Sequence, residues 1–250
     1  MLSIVIVSYN TSDLTCNCLS SIVEQTKEIS YEIILVDNNS VDGTVDRVKS
    51  EFPEVSIIRN NDNRGFAYAL NIGINAAKGD VILSINSDTI IIDYAITKSY
   101  RYLEENPDIS ILGIKLLNGD GSLQPSCRFL PDIPNCFCEA FFLTNIFPKS
   151  RFFGKYYMSY FDHNASIEVE WIKGTFMMIR KEVFDKIGLF DDNYFLYSEE
   201  TDFMLRANRA GIKTFFYHEA SIYHLEGASS GRNPEKVYER VHKTKIYFFR

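Results

Sequence analysis

Four times within residues 2–88, a short apolar run ends in a cluster of polar residues, and this succession narrows the fold more than any other feature of the chain. "LSIVIV" runs into Ser8, Tyr9 and Asn10; "YEIILVD" ends in Asp37, Asn38 and Asn39; "VSIIR" leads to Asn60 through Arg64; and "VILSI" leads to Asn86, Ser87 and Asp88. The runs are too apolar for the alternation of a half-solvated strand, so they read as strands buried on both faces. Between them, apolar residues recur at helical spacing: Leu14, Cys18, Leu19, Ile22 and Val23 toward Gln25, then Val45, Val48 and Phe52, then a helix from Phe66 to Ala77. Thr11 or Ser12 offers an N-cap for the first of these helices. Alternating β and α elements of this length predict an α/β fold with a mostly parallel sheet and helices on both faces. In such sheets ligands bind outside the carboxyl ends of the strands. All four polar tips fall there, so together they outline one site.

Beyond Pro107 the pattern changes. "ISILGIKLL" reads as a strand ended by the turn-rich "NGDGS", and residues 123–165 lose clear periodicity while becoming rich in Phe, Tyr and Pro, as expected of a functional insert or a poorly ordered segment. Strand character returns at 169–180, interrupted at Gly174, followed by a short helix over 181–187. Residues 199–210 are helical in pattern, with Phe203, Met204 or Leu205, and Ala207 facing inward and Gly211 as the C-cap. "IKTFFYHEASIYH" supplies more strand, and 234–250 reads as a helix that stops at Arg250 without an end signal, so the chain is expected to be a fragment. There is no internal repeat and no low-complexity tract.

Composition removes several function classes. The chain has 250 residues and 46% hydrophobic content, which suits one large α/β domain or two small ones. A net charge of −7 argues against a broad surface for nucleic-acid phosphates, which needs clustered Lys and Arg. The five cysteines include two Cys-x-Cys pairs (Cys16 and Cys18, Cys136 and Cys138) but no zinc-finger spacing, and no signal peptide opens the chain. A reducing cytoplasm is the simplest setting. No apolar stretch approaches the roughly 20 residues of a membrane-spanning helix.

Three groups of residues are candidates for chemistry. Asp88 stands at the end of a buried strand, where it serves either as a turn former or as a ligand. In Ser198 to Asp202, acids in the first turn complement the helix dipole and Ser198 suits an N-cap, while the preceding "YFLY" would exclude water and raise the pKa of Glu200 toward that of a general base. His224, after a strand and before a Gly-containing loop, could ligate a metal together with Asp88. Of the other histidines, His163 and His242 have polar loop or helix-surface surroundings and His218 lies at a strand end. "DNNSVDG" is similar to a calcium loop, but its twelfth position is Lys49 rather than Glu. The dinucleotide, P-loop and nucleophile-elbow signatures do not occur.

Taken in order, "SIVIVSYN", "EIILVDNNSVDGT", "NDNRGFAYALNIGINAAKGD", "INSDT", "WIKGTFMMIR", "GLFDDNYFLYSEETDFMLR" and the later His224 resemble glycosyltransferase family 2, in particular its bacterial rhamnosyltransferase-like branch. The resemblance covers nearly the whole chain and is weakest over 123–165. It implies a GT-A fold forming a single domain, with a nucleotide-binding half over 1–118 and an acceptor-binding half over 119–250. It also implies inverting transfer of a sugar from a nucleoside diphosphate donor, with Mn²⁺ or Mg²⁺ at the diphosphate. Asn86-Ser87-Asp88 then fills the place of the metal motif, with Ser87 where the branch often has Pro; Asp88 would be the ligand and His224 matches the metal-binding His. Glu200 takes the place of the catalytic base, where many relatives have Asp. Tyr9, Asn10, Asp37 and Asn39 match residues around the nucleobase and ribose, Asn63, Gly65 and Asn71 the next nucleotide-side block, and Gly174 the lining of the donor sugar and acceptor.

The expected activity is therefore transfer from dTDP-rhamnose or a UDP-sugar to a glycan or lipid-linked acceptor in cell-surface polysaccharide synthesis. A sugar-nucleotide pyrophosphorylase would open with a Gly-rich, basic phosphate loop after its first strand, which "SYNTSDLT" lacks; an inactive sugar- or nucleotide-binding module would not need Glu200, Asp88 and His224 together. The aromatic stretch 129–161 reads as the core of an irregular lobe, or as an acceptor-side surface in peripheral contact with the inner face of a membrane.

Overall fold

The computed structural model describes residues 1–147, 149–225, 241 and 243–249. The first half follows the alternation read from the sequence: β1 (Leu2–Ser8), α1 (Ser12–Gln25), β2 (Tyr31–Asp37), α2 (Thr44–Glu51), β3 (Ser56–Arg59), α3 (Phe66–Ala76) and β4 (Val81–Asn86). Next come β5 (Thr89–Ile91), α4 (Ala95–Glu105), β6 (Ile111–Leu117), β7 (Leu123–Gln124), β8 (Cys127–Arg128), α5 (Ile133–Ala140) and α6 (Leu143–Ile146). The last described elements are β9 (Ile167–Val169), β10 (Trp171–Ile172), β11 (Phe176–Arg180), α7 (Lys181–Ile187), α8 (Glu199–Arg209) and β12 (Thr214–His224). Of the expected helix over 234–250, residues 243–248 are helical; 234–240, 242 and 250 lie outside the described residues.

Ten strands form one sheet in the order β3-β2-β1-β4-β11-β6-β12-β5, with β7 on β6 and β9 on β12; β8 and β10 pair separately. β1 to β4 are mutually parallel, and because β11 is antiparallel to both β4 and β6, β6 and its parallel neighbour β12 point the same way as β1. The carboxyl ends of β1, β2, β4, β6 and β12 therefore share one edge, where β5 and β11 begin.

Two-sided burial explains the apolar runs. Along β1, Leu2, Ile4 and Ile6 enter a core with Leu19 and Ile22 of α1, Val48 of α2 and Ile96 and Leu103 of α4. Val5 faces the opposite core, with Leu70 and Ile74 of α3, Val183 of α7 and Phe203, Met204 and Ala207 of α8. The same alternation holds in β4, where Leu83 and Ile85 face one core and Ile82 the other. Each fully buried aliphatic side chain contributes about 1.5–3 kcal/mol relative to exposure.

Three local expectations need correction. Ser198 does not cap α8: it sits in the left-handed region at φ 71° without a side-chain cap, and its hydroxyl instead donates to Thr244 Oγ1 at 3.3 Å. Tertiary contact with the C-terminal helical residues outweighs local capping there. Residues 123–165 contain two short strands and two short helices, whose pattern is too brief for periodicity to reveal. His163 is buried rather than polar-surfaced, with its ring against Phe161 and Phe216 and its Nε2 accepting from Ser126 N. The four cysteines whose side chains are described are buried free thiols, and no described helix is long and apolar enough to cross a membrane.

Helix α8 is anchored by Phe203, which is fully buried and stacks on Phe190 at 4.3 Å between ring centroids. Phe203→Ala should destabilise the protein by about 3–5 kcal/mol, read as a lowered urea midpoint at constant slope; an unchanged midpoint would show that α8 does not depend on this anchor.

Candidate active site

Strand pairing across the carboxyl edge brings together residues 136 positions apart. Asp88 immediately precedes β5, and β5 runs antiparallel to β12 with His224 opposite Thr89. Leu225 N donates to the Asp88 carbonyl at 2.9 Å, and His224 Nε2 comes to lie 3.4 Å from Asp88 Oδ1, both side chains being buried. The other imidazole nitrogen, Nδ1, is 2.6 Å from Gln124 Oε1. Because an amide oxygen only accepts, Nδ1 carries the hydrogen and a neutral His224 turns the Nε2 lone pair toward the carboxylate. Two acceptors then face each other, which is favourable only with a cation or a proton between them. A nitrogen and a carboxylate oxygen at this separation fit a divalent ion with metal–ligand bonds of about 2.0–2.2 Å. No group of three or more His, Cys, Asp or Glu suited to a metal occurs among the described residues.

Next to this pair lies the acidic start of α8. Asn86 N donates to Thr175 O at 3.1 Å, which brings Gly174 to the same edge, and a Cβ on Gly174 would sit only 3.6 Å from Glu200 Cβ. Tyr197 and Ser198 enter α8 through consecutive left-handed conformations (φ 73° and 71°), a strained approach that costs on the order of 1–3 kcal/mol per residue. The Oε2 atoms of Glu199 and Glu200 are buried without hydrogen-bond partners among the described residues. Burial raises both carboxyls above the ordinary Glu range, Glu199 well above it, with the neighbouring Glu200 charge adding to the rise. Glu200 is pulled the other way by its backbone amide, Arg128 and Lys173. The environments thus differ: burial and the Glu200 charge raise Glu199, whereas Arg128 and Lys173 offset part of the rise at Glu200.

The nucleotide-side candidates divide into groups free to meet a ligand and groups engaged by the protein. Asp37 is fully buried at the end of β2; its Oδ2 accepts from Ser40 N at 3.0 Å and lies 3.7 Å from Arg59 Nε, while Oδ1 has no partner among the described residues. Tyr9 is exposed at the end of β1, and Asn39 occupies the left-handed region at φ 68°. Asn10 instead bridges two loops, its N–H donating to Ser40 Oγ and its Oδ1 accepting from Val41 N. Asn63 Oδ1 accepts from Gly65 N, and Gly65 at φ 97° has no room for a side chain because a Cβ would meet Phe195 O at 2.3 Å. Asn71 spends its amide on both backbone groups of Phe190, bracing α3 against the segment that leads to α8. A cleft beside the end of β3 is lined by Arg59, Asn60, Asn61, Asp62, Arg64 and Tyr68.

Comparison with known proteins supplies the family. Residues 3–188 match the model of glycosyl transferase family 2, and residues 139–241 that of glycosyl transferase family group 2. The chain belongs to glycosyl transferase family 2. It is 26% identical, over 99% of its length and 83% of the relative's, to the N-acetylglucosaminyl-diphospho-decaprenol L-rhamnosyltransferase of Mycobacterium tuberculosis. Among solved structures it is similar to the mannosyltransferase PcManGT of Pyrobaculum calidifontis in complex with GDP-Man and Mn²⁺ (TM-score 0.66, 16% identity, 99% of this chain). It is also similar to S. aureus TarS in complex with UDP (TM-score 0.64, 16% identity, 96% of this chain). The chain spans 62% of the length of each of these two structures. The fold is GT-A.

In this family 2 member, Gln124, Lys173, Arg128 and Glu199 join the site without having been singled out in the sequence. Lys173 Nζ donates to Gln124 Oε1 at 3.2 Å, and the Arg128 guanidinium lies over the Trp171 ring at 4.8 Å, whose Nε1 donates to Thr201 beside Glu200. Only Glu199 carried a local signal, its place in the first turn of an acidic helix.

The raised Glu199 carboxyl links folding to pH. Above the ordinary Glu pKa of about 4.3 the unfolded chain has released a proton that the folded protein retains, so stability falls as pH rises, by at most about 1.4 kcal/mol per pH unit. Glu199→Gln removes this dependence: urea unfolding should give similar stability to the parent near about pH 4 and a growing advantage for the variant toward pH 7. Parallel stability curves would show that Glu199 does not hold the proton.

Proposed function

We propose that the chain transfers a sugar, with inversion at the anomeric carbon, from a nucleoside diphosphate donor to a hydroxyl acceptor, with Glu200 as the general base. The observation that carries this reading is the buried carboxylate pair at the start of α8: Glu200, on which Arg128 and Lys173 act as positive charges, lies against Gly174 at the edge where Asp88 and His224 meet. Glu200 takes the acceptor hydroxyl's proton as its oxygen attacks the anomeric carbon opposite the leaving diphosphate. A divalent metal held by Asp88 and His224 would supply positive charge against the diphosphate.

Asp37 supports a nucleotide as the leaving part of the donor. Its Oδ1 is a buried acceptor without a partner among the described residues, which a donor group on a nucleotide's base or ribose can satisfy, and exposed Tyr9 at the end of β1 offers an aromatic face. The rhamnosyltransferase relative and the UDP-bound neighbour favour dTDP-rhamnose or a UDP-sugar. Glu200→Gln should retain a thermal shift with UDP or dTDP and Mn²⁺, while transfer falls by roughly 10²–10⁴-fold. Full transfer by this variant would remove Glu200 from the role.

The acceptor is read as a glycan or lipid-linked glycan of cell-surface polysaccharide synthesis. The relative's name carries a polyprenyl diphosphate acceptor, and the aromatic segment of this chain favours a nearby bilayer. Ile133, Phe137 and Phe141 form an exposed stripe at four-residue spacing along and just past α5, followed by exposed Phe142, Ile146 and Phe152 and by the exposed cations Lys149 and Arg151. Apolar anchors flanked by cations suit an anionic membrane surface. In a flotation assay with anionic vesicles at low salt, Phe137→Ser/Phe141→Ser should lower the bound fraction several-fold; no association of the parent protein would overturn the membrane reading.

A further inference from the structure

Gln124 is buried on the two-residue strand β7, which β6 holds by pairing Leu116 with Gln124. Each polar atom of its amide is committed. Nε2 donates to Asn118 Oδ1 at 2.9 Å, and Oε1 receives both Lys173 Nζ at 3.2 Å and His224 Nδ1 at 2.6 Å. Asn118 is held in turn by the "NGDGS" turn, where its N–H donates to Ser122 O and its Nδ2 to Ser122 Oγ, and Asp120 accepts from the Ser122 hydroxyl. The Asn118 acceptor and the Lys173 donor fix the orientation of the Gln124 amide independently of the histidine. An amide in this orientation can meet His224 Nδ1 only through its oxygen.

We propose that Gln124 is a positioning residue: it locks His224 in the Nδ1–H tautomer and aims the Nε2 lone pair at the Asp88 carboxylate, while its same oxygen holds Lys173 on the Glu200 side of the site. Without that acceptor the imidazole is free to place its hydrogen on Nε2, where Asp88 Oδ1, 3.4 Å away, would attract it and the ring would present no lone pair to a cation. Partners of this kind, which orient a metal-binding His through its second nitrogen, typically change metal affinity by about 10–100-fold when removed. The role rests on the proposed metal-assisted transfer for its use in catalysis, but the tautomer is a property of the protein alone.

The test therefore starts without metal or nucleotide. In ¹⁵N-histidine NMR, at a pH where imidazole is neutral and with His224 assigned by the loss of its signals in His224→Ala, the parent should show the Nδ1–H tautomer. Gln124→Leu, which keeps the bulk and loses the acceptor, should shift His224 toward Nε2–H and weaken Mn²⁺ binding, read by electron paramagnetic resonance with UDP or dTDP present, by about 10–100-fold. Gln124→Glu, which restores an acceptor oxygen, should retain the Nδ1–H tautomer. If Gln124→Leu folds and keeps both the Nδ1–H signal and the parent's Mn²⁺ affinity, the proposal is wrong; if it does not fold, loss of the Nδ1–H signal in Gln124→Glu overturns it. Absence of sugar transfer with the tautomer intact would count against the proposed activity and leave this assignment standing.

Discussion

A sheet whose central strands are apolar on both faces has only its ends for polar chemistry. In β1 and β4 alternate side chains enter cores on opposite sides of the sheet, and no side-chain position along these strands is spared for a ligand. The chemistry is displaced to the carboxyl edge, where backbone polarity and loops allow it. Asp37, Asn86 and Asp88 lie at that edge because each is the first residue, or nearly so, beyond the reach of both cores.

The edge becomes a site through contacts between the chain's two halves. β12 delivers His224 from the second half to Asp88 of the first, and β11 begins beside Asn86, carrying Gly174 and its neighbour Glu200 with it. Charge is then apportioned by burial. Glu199 and Glu200 are both raised, but Arg128 and Lys173 offset part of the rise at Glu200 alone. Gln124 links these regions, since the oxygen that meets His224 also meets Lys173.

Sequence and structure agree where the pattern is local. The apolar strands, the helices over α1, α3, α7 and α8, and the inward set Phe203, Met204 and Ala207 follow from composition and period alone. They part where long-range contact overrides a local rule. Ser198 has the right identity and position for an N-cap, yet its hydroxyl turns to Thr244, 46 residues away. His163 sits in a polar stretch of sequence and is nonetheless buried, because Phe161 and Phe216 close over it.

By itself the sequence determined the alternating architecture and put Asp37, Asn86 and Asp88 at the carboxyl ends of its strands, because apolar periodicity and ordered motifs are written along the chain. Only the tertiary structure decided which imidazole nitrogen faces Asp88, that the carboxyls of Glu199 and Glu200 are buried together, and that Gln124 meets His224. Those outcomes depend on burial and on hydrogen bonds between residues as far apart as Gln124 and His224, separated by 100 positions, and one-dimensional spacing carries no trace of either.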